Sequence, residues 1–264
     1  MSECTLVLIP GLMCDAAVWQ PQQQHLAGVA PIEIAEHGLA ADLGEMAQQI
    51  LAAYPGALAL AGHSMGGRVA LEVVRRAPQR VRGLALLDTG CHALAAGAVG
   101  ERERDTRMGV LAQARREGLR AAAEAWLDGM IHPSRLKDQP LRESILEMWE
   151  RRSLEHLAAQ MQALLERPEA AQLLPGLAVP ALVLCGAEDR SAPVQQHMEM
   201  AGLLPQSDYV QVADCGHMCT LERSAEVNSA LAMWFSRIEA YREVSDPSGL
   251  SHRAAGRPDA RGES

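Results

Sequence analysis

Short apolar runs punctuated by Gly and Pro recur along this chain, with longer stretches of helical periodicity between them. Thr5–Ile9, Ala57–Ala61, Leu84–Leu87, Ala181–Cys185 and Tyr209–Val212 are the clearest strands, and Pro31–Ala35 is a weaker one. Such runs are nearly continuous in apolar character, as in strands covered on both faces of a parallel sheet. Glu45–Ala53 and Gly66–Arg76 place their apolar residues at helical spacing, and the second stops just before Pro78. Near the end, Val227, Leu231, Trp234, Phe235 and Ile238 form one stripe behind Ser224, a candidate N-cap. Strand–helix alternation of this kind predicts an α/β fold.

One connection is far too long for a single crossover. Between Asp88 and Ala181 lie about 90 residues, where a crossover with one helix needs only a dozen or more. The excess is helical and amphipathic: Leu119, Ala122, Ala123, Trp126, Leu127 and Met130 share a face, as do Leu154, Leu157, Ala158, Met161, Leu164 and Leu165. Nothing in it resembles a strand. It predicts a helical cap over one end of the sheet, beginning with a charge-dense, solvated stretch at Glu101–Arg107. The expected organisation is a core in two parts (1–90 and 177–242), a cap insertion (91–176), and a disordered tail (243–264) rich in Pro, Gly, Ser and Arg.

Composition narrows the setting. Of 264 residues, 48% are hydrophobic and 22% charged, the balance of an ordinary globular protein with one large core. The net charge of −9 argues against a nucleic-acid partner, which would require a concentrated basic face. Met1-Ser2-Glu3-Cys4 lacks the basic start of a signal peptide, and no run of about 18 apolar residues suggests a membrane span. The expectation is a cytoplasmic protein whose six cysteines are free thiols. Cys215 and Cys219 around His217 form one tight cluster without a second ligand pair, so no metal is expected. Nothing in the sequence specifies an oligomeric state.

The chemistry begins at Gly62-His63-Ser64-Met65-Gly66, a G-x-S-x-G motif with Gly67 following. A strand runs directly into it and a helix runs out, the setting of a nucleophile elbow. A phosphate-binding loop fits worse, because the Gly-Lys-Ser/Thr ending is missing. A serine hydroxyl is a poor nucleophile at neutral pH and needs a base, usually histidine oriented by a carboxylate. The run Ala181–Cys185 leads into Gly186-Ala187-Glu188-Asp189, and Tyr209–Val212 leads into Asp214-Cys215-Gly216-His217. Three loops after three strands thus present Ser64, Asp189 and His217 in the order nucleophile, acid, base. Asp88 also ends a strand and competes as the acid, and Glu188 adjoins Asp189. Asp15 is placed to N-cap the helix that follows it. His63 fits equally a residue lining the site and a packed, hydrogen-bonded histidine.

These features resemble the α/β-hydrolase superfamily from about Thr5 to Ile238. The marks are Ile9-Pro10-Gly11-Leu12, the serine motif, Gly186-x-x-Asp189-x-x-x-Pro193, and Gly216-His217 followed by Leu221-Glu222. More narrowly, the chain looks like small cofactor-free bacterial esterases and enol-lactonases of that superfamily. Proline stands at position 10 where many members carry histidine, and the antiparallel strands that usually precede the first parallel one are missing. About six strands, all or nearly all parallel, are therefore expected.

The resemblance implies an esterase acting on a small ester or lactone through Ser64, His217 and Asp189, with no cofactor and no membrane partner. The oxyanion hole is expected from the backbone N–H groups of Leu12 and Met65. Met13, Trp126, Met130, Trp149, Met161 and Met218 are candidate pocket residues, with packing of the cap core as the alternative for each. An enol-lactonase, a carbon–carbon bond hydrolase or a peroxide-dependent enzyme would use the same triad. A ligand receptor on the same scaffold would have no need of all three residues.

Overall fold

The computed structural model describes residues 4–245. Among them six strands, β1 (Thr5–Ile9), β2 (Ile32–Ile34), β3 (Leu58–His63), β4 (Val81–Leu87), β5 (Ala181–Gly186) and β6 (Ser207–Val212), form one sheet. Its order is β2-β1-β3-β4-β5-β6, with every neighbouring pair parallel. This is the α/β fold predicted from the alternation of elements, with the six parallel strands implied by the resemblance to α/β-hydrolases.

Helices cover the sheet: α1 (Gln20–His25), α2 (Leu43–Ala53), α3 (Met65–Arg76), α4 (Ala98–Glu117), α5 (Leu119–Leu127), α6 (Gln139–Glu150), α7 (Leu154–Leu165), α8 (Val194–Leu203), α9 (Cys219–Glu222) and α10 (Ser224–Ser245). Helices α2 and α3 pack on each other, as do α1 and α10. Every residue of β3 and β5 is buried, which is why these strands read as unbroken apolar runs. Edge strand β6 is half exposed and begins at Ser207, two residues before the apolar run starting at Tyr209.

Several boundaries differ from the periodicity. Strand β4 starts at Val81 rather than Leu84, because Arg82 and Gly83 interrupt its apolar run. Gly83 has a packing reason: a Cβ there would lie 2.1 Å from Ile238 Cδ1 on α10. Helix α2 begins at Leu43, since Asp42 caps it by accepting from the Glu45 N–H at 3.0 Å. Asp15 caps the short turn Ala16–Trp19 as expected, accepting from the Ala17 N–H at 2.9 Å. Helix α10 runs to Ser245, so residues 243–245 of the expected tail are helical. The rest of that tail lies outside the described residues.

Between β4 and β5 the described chain contains helices α4 to α7 and no strand. The two ends of this excursion meet, the Ala170 N–H donating to the Cys91 carbonyl at 2.9 Å. Leu127, Ile145, Trp149, Leu157 and Met161 fill its own core. Gln160 anchors it to the loop after β1, its Oε1 accepting from the Met13 N–H at 2.8 Å in a buried setting. Arg151 pairs with Asp15 at 2.6 Å and Arg152 with Glu36 at 3.0 Å, more exposed contacts that fix orientation better than they add stability. Glu101–Arg107 lies in the first turns of α4, but it is not wholly solvated: Glu103 and Arg107 turn inward to a partly buried cluster. Among the described residues no helix is long and apolar enough to cross a membrane.

Candidate active site

Ser64 is the single residue between β3 and α3, with φ 54° and ψ −118°. This left-handed backbone is costly for a residue with a Cβ and holds only where its surroundings over-determine it. The Ser64 N–H donates to the Leu87 carbonyl at 2.8 Å, and its own carbonyl accepts from Gly67 N–H at 3.0 Å and Thr89 Oγ1 at 2.7 Å. The turn also requires close backbone approach on both sides. A Cβ on Gly62 would lie 2.3 Å from the Gly66 carbonyl oxygen, and one on Gly66 would lie 2.0 Å from that of Ile9. This is why the motif needs glycine two before and two after the serine.

The structure brings Ser64, His217 and Asp189 together across more than 150 positions of sequence. Ser64 Oγ lies 2.8 Å from His217 Nε2, and His217 Nδ1 lies 2.8 Å from Asp189 Oδ2. A carboxylate only accepts, so Nδ1 carries the proton and Nε2 is left to accept from the serine hydroxyl. The other Asp189 oxygen, Oδ1, accepts from the N–H groups of Ser191 and Ala192 at 2.8 and 2.9 Å. Burial acts to lower the His217 pKa, but the charge and hydrogen bond of Asp189 outweigh it and hold the imidazole above its ordinary value. Burial likewise opposes ionisation of Asp189, and His217 with the two loop N–H groups keeps it below the usual carboxylate value.

His217 is also gripped through its backbone. Its N–H donates to the Met130 carbonyl at 2.6 Å, and its carbonyl accepts from His63 Nε2 at 2.8 Å. Glu222 holds the flanking peptides: Oε1 accepts from the Gly216 and Met218 N–H groups at 3.1 Å each, and Oε2 from His132 N–H at 2.7 Å. Sequence inspection assigned Glu222 no such part. A buried glutamate five residues after the histidine carries no local signal of three backbone acceptances. His63 therefore packs and hydrogen-bonds rather than facing substrate, and burial pushes its pKa down to about 4.

Asp88 sits beside this arrangement without joining it. Its Oδ1 accepts from Gly186 N–H at 2.9 Å and its Oδ2 from Cys219 N–H at 3.1 Å. Burial and the nearby Asp189 push its pKa up to about 8. Glu188 accepts from the Cys215 N–H at 3.0 Å and makes no bond to the imidazole. All six cysteines are buried, and among the described residues no group of three His, Cys, Asp or Glu converges as metal ligands would.

Leu12 and Met65 line the same cavity as Ser64. Met65 is the first residue of α3, where an N–H has no acceptor within the helix. The loop bearing Leu12 touches the serine closely: a Cβ on Gly11 would lie 3.1 Å from Ser64 Cβ.

A cavity open to solvent has Leu12, Ser64, Met65, Trp126, Leu164 and His217 among its walls. Trp126 is the one cap residue of the six pocket candidates that reaches it, backed by Trp149 at a ring-centroid distance of 5.4 Å. Trp149, Met13, Met161 and Met218 are buried in packing instead, and Met130 contributes its carbonyl to the histidine loop. Apolar periodicity marks such residues as inward-facing but does not distinguish a core from a pocket wall. Sequence inspection missed the polar wall residues Arg68, Thr89, Arg107 and Ser191.

A family model described as the alpha/beta hydrolase fold matches residues 27–224. The chain is 28% identical over 246 residues to a pimeloyl-acyl-carrier-protein methyl ester esterase of Xanthomonas axonopodis pv. citri, covering 88% of this chain and 95% of that protein. It is 27% identical over 253 residues to the dihydrolipoyllysine-residue acetyltransferase component of the acetoin cleaving system of Pseudomonas putida. That match covers 86% of this chain and spans 62% of that protein's length. A solved structure of a thermophilic esterase from Thermogutta terrifontis superimposes with a TM-score of 0.78 at 27% identity, covering 90% of this chain and 91% of that one.

Proposed function

This chain belongs to the α/β-hydrolase family, and from that premise we propose that it is a serine hydrolase of small carboxylic esters working through an acyl-enzyme. The observation that carries the proposal is the continuous hydrogen-bond chain from Ser64 Oγ through His217 to Asp189, each link 2.8 Å, opening onto a cavity.

Ser64 Oγ attacks the ester carbonyl while His217 Nε2 takes its proton, and Asp189 stabilises the imidazolium that results. The N–H groups of Leu12 and Met65 receive the developing oxyanion, Met65 from the positive end of α3. Collapse of the tetrahedral intermediate breaks the bond to the alkoxy group, which leaves as alcohol with the proton from His217. Water, deprotonated by His217, then attacks the acyl-enzyme, releasing the acid and restoring Ser64.

Ser64→Ala should lower kcat on p-nitrophenyl acetate by roughly 10⁴-fold or more while the protein stays folded, since the triad acts as a unit. A fluorophosphonate should label Ser64 alone. Retention of more than a tenth of wild-type kcat in the pure variant would overturn the proposal and favour a binding protein on a hydrolase scaffold.

A further inference from the structure

The cavity beside Ser64 is apolar on the Leu12, Trp126 and Leu164 sides, yet two guanidinium groups also form its wall, together with the carboxyl of Asp88. Arg68 lies on α3, one turn beyond the serine, and Arg107 descends from cap helix α4. Their surroundings are short of negative charge. Arg107 binds Glu103, with Nε at 3.0 Å and Nη2 at 2.9 Å from Oε1. The same carboxylate is shared with the buried Arg167, at 2.8 and 2.9 Å. Arg68 donates one N–H to the His92 carbonyl at 2.8 Å and, among the described residues, has no carboxylate within 4.0 Å.

The other acids nearby do not make up the difference. The two oxygens of Asp88 are occupied by backbone N–H groups and burial disfavours its ionisation, while Asp189 is committed to His217 and its own loop. Glu169 and Glu199 are drawn to His92, at 3.2 and 2.9 Å. Among the described residues Glu103 thus pairs with Arg107 and Arg167 together, and Arg68 pairs with no carboxylate. Burial, and repulsion from Arg167 and Arg107, push the Arg68 pKa down to about 9, so it remains a cation at neutral pH. Holding a half-buried cation without a counter-charge is costly, and the cost is recovered where an anion completes the site.

We infer that the pocket selects esters bearing a carboxylate, such as monoesters of short dicarboxylic acids, and that Arg68 and Arg107 are the residues that bind it. The inference deepens the serine-hydrolase proposal and rests on it for the position of the scissile bond. A guanidinium is planar and offers five N–H donors, of which Arg68 uses one on His92, leaving a fork free for a carboxylate.

The test compares kcat/KM for a carboxylate ester and its neutral amide analogue within one protein, so that any general loss of activity cancels. Monoethyl adipate is paired with ethyl 5-carbamoylpentanoate for charge on the acyl side, and 4-acetoxybutanoate with 4-acetoxybutanamide for charge on the alcohol side. In the wild type at least one pair should favour the carboxylate by roughly 10- to 100-fold, the range of a charge-assisted hydrogen bond. Arg68→Gln and Arg107→Gln should each reduce that ratio, and the double variant should bring it near one. Neither pair showing a preference, or a preference that survives the double substitution, overturns the inference. The wild-type ratio needs no variant to fold. Should Ser64→Ala hydrolyse as fast as wild type, the serine mechanism falls while the ratio still reports on the pocket. If no ester is turned over, the functional proposal fails. Calorimetric binding of adipate then decides the pocket alone, saturable binding lost in the double variant supporting it and no binding overturning it.

Discussion

Replacing Asp189 by Asn tests the proposed triad more sharply than removing the carboxyl altogether. Asp189 Oδ1 accepts from two backbone N–H groups, Ser191 and Ala192, while Oδ2 accepts from His217 Nδ1. An asparagine has one acceptor oxygen and one donor nitrogen. If its oxygen keeps the two loop donors, its NH₂ faces His217, and Nδ1 must become the acceptor. The proton then moves to Nε2, which can no longer accept from Ser64. The opposite rotamer rescues the tautomer but turns an NH₂ toward two backbone N–H groups, orphaning both at about 1–3 kcal/mol each. Either way the reactive arrangement is a minor state. The expected loss in kcat is roughly 10⁴-fold, about 5 kcal/mol of transition-state stabilisation. The assay is steady-state hydrolysis of p-nitrophenyl acetate, with near-wild-type thermal unfolding showing that the loop holds. Asp88→Asn gives up one backbone acceptance and should cost far less in kcat. A variant Asp189→Asn with more than a tenth of wild-type kcat, or a larger loss from Asp88→Asn, would refute the reasoning.

Log kcat/KM should rise with unit slope on the acid side and level off, with its midpoint above the ordinary histidine value of about 6.5, because Asp189 raises His217 and only the neutral imidazole accepts the serine proton. His63 and His197, both held down to about 4 by burial, cannot supply that limb, and burial lifts the thiols of Cys14, Cys91, Cys185, Cys215 and Cys219 above their usual range. A limb above pH 8 abolished by iodoacetamide would therefore point to a thiolate and away from Ser64. Glu222→Gln keeps two of three backbone acceptances and leaves the His132 N–H unpaired, so urea unfolding should show a loss of about 1–3 kcal/mol. Glu222→Ala should cost more and reduce kcat by freeing the His217 loop, and wild-type stability for Glu222→Ala would remove that positioning role.

Strand–helix alternation, the place of Ser64 between β3 and α3, and the order Ser64, Asp189, His217 were legible because each is a local property. A strand followed by a tight glycine turn and a helix is encoded within about a dozen residues, and in a parallel sheet all such turns at one end face the same solvent. Sequence order alone left Asp88 and Asp189 as rivals, since both follow strands that end at the same edge. Only tertiary structure separates them: one carboxylate lies 2.8 Å from His217 Nδ1, while the other is spent on the N–H groups of Gly186 and Cys219. Among the cap and loop candidates, periodicity identified Trp126, Trp149, Met161 and their neighbours as inward-facing. Whether an inward face meets a core or a cavity depends on what packs opposite, which local spacing does not encode. The same limit hid Arg68 and Arg107. Each reads alone as an ordinary polar position on a helix, and only the docking of the cap over the sheet turns two residues 39 positions apart into one charged wall.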